Sequence, residues 1–150
     1  MRLLEWIDSY ILGLIDLYDT CNIYELFDYL NIKIKKLDKD NVLLQHNEAF
    51  YNRFSSSGEI IFIRDDLPAN YEKFILAHEL AHAIIHVSLF EAAFNIELIN
   101  NGKLELQANY FAFKLTNIFF DETELQGMTI EQIANCLELP CAPLKQVVNL

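Results

Sequence analysis

Glycine and proline are scarce in this 150-residue chain, four and three residues respectively. That excludes collagen-like repeats and flexible linkers, and an apolar share of 53% excludes disorder. Cysteine is too sparse for a disulfide scaffold: Cys21, Cys136 and Cys141 are odd in number and form no CxxC pair. They are expected to be buried free thiols in a reducing compartment. Basic residues are few, 11 Lys and Arg against 22 Asp and Glu, which leaves a formal charge of −11. Such a body repels phosphate backbones and anionic lipid, so direct nucleic-acid binding and membrane attachment are not expected. Long uncharged apolar runs are missing as well. Glu5, Asp8 and Asp16 interrupt the apolar start of the chain, which argues against a signal peptide or membrane span there and for a cytoplasmic protein.

What is present is apolar material for one core. A chain of this length can bury roughly 68–70% of its unfolded surface. Residues 1–150 are therefore read as a single domain, with N-terminal helices over 1–30, a sheet and paired helices over 31–120, and a helical C-terminal appendage over 125–150. Leu3, Leu4, Ile7, Ile11, Leu14, Ile15 and Tyr18 recur at helical spacing, and a shorter helix spans 22–30. The period then changes. Ile32, Ile34 and Leu37 interleave with Lys33, Lys35 and Lys36, as in an edge strand protected by lysines. Short strands are predicted at 42–44 and 49–54, with Asn47-Glu48 as a turn, and the β-branched run 59–63 as a buried strand.

The helical period returns from Asn70, a candidate N-cap, to Val87, and again over 101–117. Thr129-Ile130-Glu131-Gln132 reads as a capping box opening a helix to Leu137, and Pro140 and Pro143 punctuate a last short one. Helices, then a small sheet, then helices make an α+β fold. Residues 125–150 have a helix-turn-helix flavour, but Lys145 is their only base beside Glu131 and Glu138, so packing or partner binding is the better reading than DNA contact. His46 is a lone histidine without a metal-ligand pattern.

The other three histidines, His78, His82 and His86, fall within nine residues. His78-Glu79-Leu80-Ala81-His82 is an HExxH in an apolar helical segment that follows a strand. Residues four apart lie one turn apart on one helix face, so both imidazoles can reach one zinc ion at roughly 2.0–2.1 Å. Glu79 lies about 100° round the helix from His78, off the ligand face but placed to take a proton from a water on the same metal. His86 cannot join the same ion, because about 12 Å of helix rise separates it from His78. It is expected to line the pocket or support a ligand. A third histidine six residues after His82 is also absent, since Ser88 stands there.

A catalytic zinc wants a third protein ligand and an open position. Glu91, Glu97 and Glu105 are the candidates. Glu105 has the best context: it shares a helix face with Asn109, Ala112 and Thr116, and the small Ala108 and Ala112 permit close approach to the motif helix. Asn109 could orient a ligand by a hydrogen bond.

With Phe74-Ile75-Leu76-Ala77-His78-Glu79-Leu80-Ala81-His82-Ala83-Ile84-Ile85-His86 followed by Glu105-Leu106-Gln107-Ala108-Asn109-Tyr110-Phe111-Ala112, the chain resembles the ImmA/IrrE family of metallopeptidases. The glycine common in that family's motif is Ala81 here, and the ending common after its second helix is missing at 114–117. The resemblance implies a zincin-like fold: a small twisted antiparallel sheet packed on the HExxH helix and a following ligand-bearing helix. It implies one Zn2+ per chain held by His78, His82 and Glu105, with Glu79 as the base. The implied activity is a zinc endopeptidase that cuts a helix-turn-helix repressor of a phage or mobile element. The substrate is expected to lie extended along a sheet edge, with the strands between 49 and 63 as the candidate. The rival readings are a metal-bearing regulator that grips a repressor or toxin partner without cutting it, and an interaction domain that holds no metal.

Overall fold

The computed structural model describes residues 4–56, 58–87, 91–96, 102–116 and 126–148. Helix α1 (Glu5–Tyr18) buries Ile7, Ile11 and Leu14, three positions of the stripe visible in the sequence, and ends where Asp19 takes a left-handed φ of 53°. Helix α2 (Ile23–Tyr29) is opened by Asn22, whose side chain accepts hydrogen bonds from the Tyr24 and Glu25 amides. Ile23, Leu26 and Phe27 face inward.

Strands β1 (Lys33–Leu37), β2 (Ala49–Ser55), β3 (Gly58–Arg64) and β4 (Glu91–Phe94) form one sheet in the order β1-β3-β2-β4. The β2–β3 hairpin and the β2–β4 pair are antiparallel, as expected. β1 runs parallel to β3, so the sheet is mixed. The connection after β1 carries the chain past the position of β3 to lay down β2 first, and the hairpin then returns β3 alongside β1. Among the described residues the edges are therefore β1 and β4. The candidate substrate edge within 49–63 is corrected: β2 and β3 are each paired on both sides. Lys33, Lys35 and Lys36 do lie on an edge strand and are exposed.

Two local expectations also change. Residues Val42–Leu44 form a single 3-10 turn, not a strand. Asn41 accepts from the Leu43 amide, and Gln45 and His46 take left-handed φ values of 51° and 64°, so local side-chain hydrogen bonding overrides the apolar pattern. β4 was not legible, because Glu-Ala-Ala-Phe has little β propensity. It becomes a strand through its ladder with β2.

Helix α3 (Ala69–Ile85) begins just after Pro68, one residue before the expected cap. Asn70 instead donates its side-chain amide to the Leu137 carbonyl, tying α3 to α5 (Ile130–Leu137). From Phe74 to His82 every residue of α3 is buried, including both motif histidines. A helix buried all round has neighbours on every side. Ile61 and Ile63 of β3, Tyr51 of β2 and Phe94 of β4 join its Phe74, Ile75 and Leu76 in the core, with Phe111 and Leu115 of α4 (Lys103–Thr116). α5 opens on the predicted capping box, with Thr129 and Gln132 satisfying each other's backbone amides. α6 (Cys141–Val148) packs against both α5 and α4. All three cysteines are free, but Cys21 and Cys136 are exposed and Cys141 is half-buried. Cys21 sits in the α1–α2 turn and Cys136 on α5, both open to solvent, whereas Cys141 on α6 packs against the core. None of the described helices is long and apolar enough to cross a membrane.

Candidate metal centre

The helical period of α3 puts His78 and His82 one turn apart, and the packing of α4 against α3 brings Glu105 to them. His78 Nε2 lies 3.3 Å from Glu105 Oε2, and His82 Nε2 lies 3.2 Å from Glu105 Oε1. One ligand atom from each of the three residues falls within 4.8 Å of the others. Tetrahedral ligands at 2.0–2.1 Å from a zinc ion stand about 3.3 Å apart. These spacings therefore match donors that share one small ion. Both histidines are buried, whereas the Glu105 side chain keeps 26% of its surface exposed. Of the other carboxylate candidates, Glu91 is exposed on β4 and lies outside the cluster, and Glu97 lies outside the described residues.

The distal ring nitrogens are held. His78 Nδ1 lies 2.7 Å from Asn109 Oδ1, the contact expected of Asn109. With the amide oxygen facing it, Nδ1 carries the proton and Nε2 keeps its lone pair. That Nε2 has no hydrogen-bond partner despite being buried, and its contact with Glu105 lacks hydrogen-bond geometry. His82 Nδ1 lies 2.8 Å from His86 Nδ1, and His86 Nε2 lies 2.8 Å from Gln107 Oε1. With the Gln107 oxygen as acceptor, His86 donates from Nε2 and accepts from the His82 Nδ1–H, which again leaves a lone pair on His82 Nε2. His86 thus backs His82 and does not join the cluster. Burial pushes its pKa down, partly opposed by the Gln107 hydrogen bond.

Glu79 is fully buried, and among the described residues neither of its oxygens has a hydrogen-bond partner. Burial raises its carboxyl to about 8. The nearby His82 works against this shift, and Glu105 adds to it. Burial would also raise Glu105, but the His78 and His82 imidazoles against it, when they carry a proton on Nε2, outweigh burial and hold that carboxyl far below the usual range. The Phe94 ring of β4 meets His78 edge-on at 5.1 Å between ring centroids, so the edge strand forms a wall of the site.

Among the described residues, no lysine or arginine pairs with Glu79 or Glu105. An unpaired buried carboxylate is costly, and a buried imidazole lone pair without a donor is wasted. A divalent cation would satisfy both, so the residues fit one. An N, N, O donor set suits several metals. Gln107 and Gln146 were not foreseen. Gln107 carries only the weak signal of sitting two residues from Glu105, and Gln146 carries none, being separated by 37 residues from the asparagine it touches.

Residues 27–146 match a peptidase family described as the IrrE N-terminal-like domain. Metallopeptidase ImmA of Bacillus subtilis (strain 168) is 34% identical over 136 residues, which cover 85% of this chain and 75% of that protein. Uncharacterized immunity region protein 2 of Bacillus phage phi105 is 32% identical over 104 residues, 68% of this chain and 62% of that protein.

Proposed function

The chain belongs to the ImmA/IrrE family of metallopeptidases, and on that premise we propose that it is a cytoplasmic zinc-dependent endopeptidase acting on a DNA-binding repressor of a phage or mobile element. The observation that carries the reading is a single constellation. His78, His82 and Glu105 offer ligand atoms at the spacing of one coordination sphere, with the buried carboxylate of Glu79 one residue from the first ligand. The repressor as substrate rests on the family resemblance and on the likeness to a phage immunity-region protein.

His78, His82 and Glu105 would hold the metal. When bound, it would polarise the scissile carbonyl and acidify the attacking water. Glu79 takes the proton of that water on a carboxylate oxygen and passes it to the leaving amine. Among the described residues nothing hydrogen-bonds those oxygens, so no donor has to be displaced before the proton arrives. Asn109 and His86 keep the two rings turned with Nε2 inward. β4 is the edge strand beside His78, and a substrate in extended form would add to it by backbone hydrogen bonds.

The test is zinc-loaded protein incubated with a proteome-derived peptide library and, separately, co-expressed with a helix-turn-helix repressor of the same element. Cleavage that stops with chelation supports the reading. Folded, stoichiometrically loaded protein that cuts neither would favour a regulator that binds its partner without cutting it.

A further inference from the structure

We propose that Gln146, on the C-terminal helix α6, is a positioning residue for the metal site. It holds the Asn109 amide in the orientation that leaves His78 Nε2 free to act as a ligand. The inference deepens the reading above and rests on His78 being a ligand.

Asn109 is fully buried on α4 and spans two partners. Its Oδ1 faces His78 Nδ1 at 2.7 Å, and its Nδ2 donates to Gln146 Oε1. The two ends of a primary amide have nearly the same shape, so only the hydrogen-bonding pattern decides which way it points. The orientation matters to the metal. With oxygen toward His78, the ring proton sits on Nδ1 and the lone pair on Nε2, the atom 3.3 Å from Glu105. With the amide turned over, its NH2 would face Nδ1, the ring proton would move to Nε2, and that atom could no longer ligate.

His78 alone cannot choose, because a neutral imidazole satisfies either orientation by changing tautomer. The Gln146 side chain weights the choice: its Oε1 faces Asn109 Nδ2, and held that way it leaves the Asn109 oxygen for His78. An aspartate at 109 would present oxygen to both sides and would need no such partner; an asparagine does. α6 is therefore not an appendage to the site. It supplies one member of a relay, Gln146–Asn109–His78.

The experiment compares wild type, Gln146→Leu, Gln146→Glu, Asn109→Asp and the double variant Asn109→Asp/Gln146→Leu. Zinc affinity is read by competition with a chromophoric chelator. The His78 tautomer is read in metal-free protein by long-range 1H–15N correlation. Gln146→Leu is expected to weaken zinc binding about tenfold, the lower end for loss of such a support, with an Nε2–H signal appearing at His78. Gln146→Glu, which keeps only acceptors, should stay near wild type. In the Asn109→Asp background, Gln146→Leu should change affinity less than about twofold, since a carboxylate cannot be turned the wrong way. Equal weakening in both backgrounds would reduce Gln146 to a packing residue and overturn the proposal, as would wild-type affinity and tautomer in Gln146→Leu. A wild type that binds no zinc, but whose His78 tautomer still responds to Gln146→Leu, would refute the metal reading and leave the relay standing.

Discussion

Replacing Glu79 by glutamine changes the charge of the site and almost nothing of its shape. Glu79 is not one of the three clustered ligands, so zinc content should stay at one per chain. Turnover should fall about 10²–10⁴-fold, the usual contribution of a positioned general base, which is about 3–5 kcal/mol of transition-state stabilisation. Stability supplies an independent check. The carboxyl is raised to about 8 in the folded chain, chiefly by burial. The folded state therefore disfavours ionisation. The penalty is absent below the unfolded value of 4.5, grows as the pH rises through the interval, and levels off above 8 at about 5 kcal/mol. Metal-free wild type should thus lose stability relative to metal-free Glu79→Gln between pH 5 and 8, in urea melts taken with chelator present. Bound cation should shrink the difference. The assay for the chemistry is peptide-library cleavage by mass spectrometry, with metal content measured on the same sample. A zinc-replete variant that cuts within tenfold of wild type would refute the base assignment. A variant that loses its zinc would show instead that Glu79 helps hold the ion.

Glu105→Ala should weaken zinc binding at least a hundredfold in chelator competition, whereas Glu91→Ala should leave it unchanged, because among the described residues it is Glu105 that lies against both imidazoles. Ala112 is fully buried in α4, so Ala112→Leu should cost about 1–3 kcal/mol of overpacking in denaturant melts and loosen the metal by moving α4. Glu48 is raised by burial despite the hydrogen bond from Tyr71 and the charge of Arg64. Its stabilising influence is therefore greatest below the unfolded value and declines as the pH rises, so Glu48→Gln should gain stability relative to wild type as the pH is raised above 4.5. Thr129→Ala removes one half of the capping box of α5 and should cost about 1 kcal/mol in the same melts.

Elements whose signals are local were readable from the order of residues alone. Helical period gave α1, α2, α3 and α4 to within a few residues, and the Thr129 capping box gave the start of α5, because both depend on neighbours along the chain. The histidine pair and Glu79 were legible for the same reason: a spacing of four on a helix fixes a face. Glu105 was legible as one of three candidates. Its helix face already set it ahead of Glu91 and Glu97, but its approach to within 3.2–3.3 Å of two imidazoles is a property of how α3 and α4 meet. Tertiary structure also decided the strand order. β4 exists through its ladder with β2, the 42–44 segment turned instead of extending, and β1 joined β3 in parallel, each choice settled by partners distant in sequence. The Gln107 and Gln146 contacts belong to the same class. An amide's partner is chosen by what the fold sets within about 3 Å of it, and no periodicity along the chain records that choice.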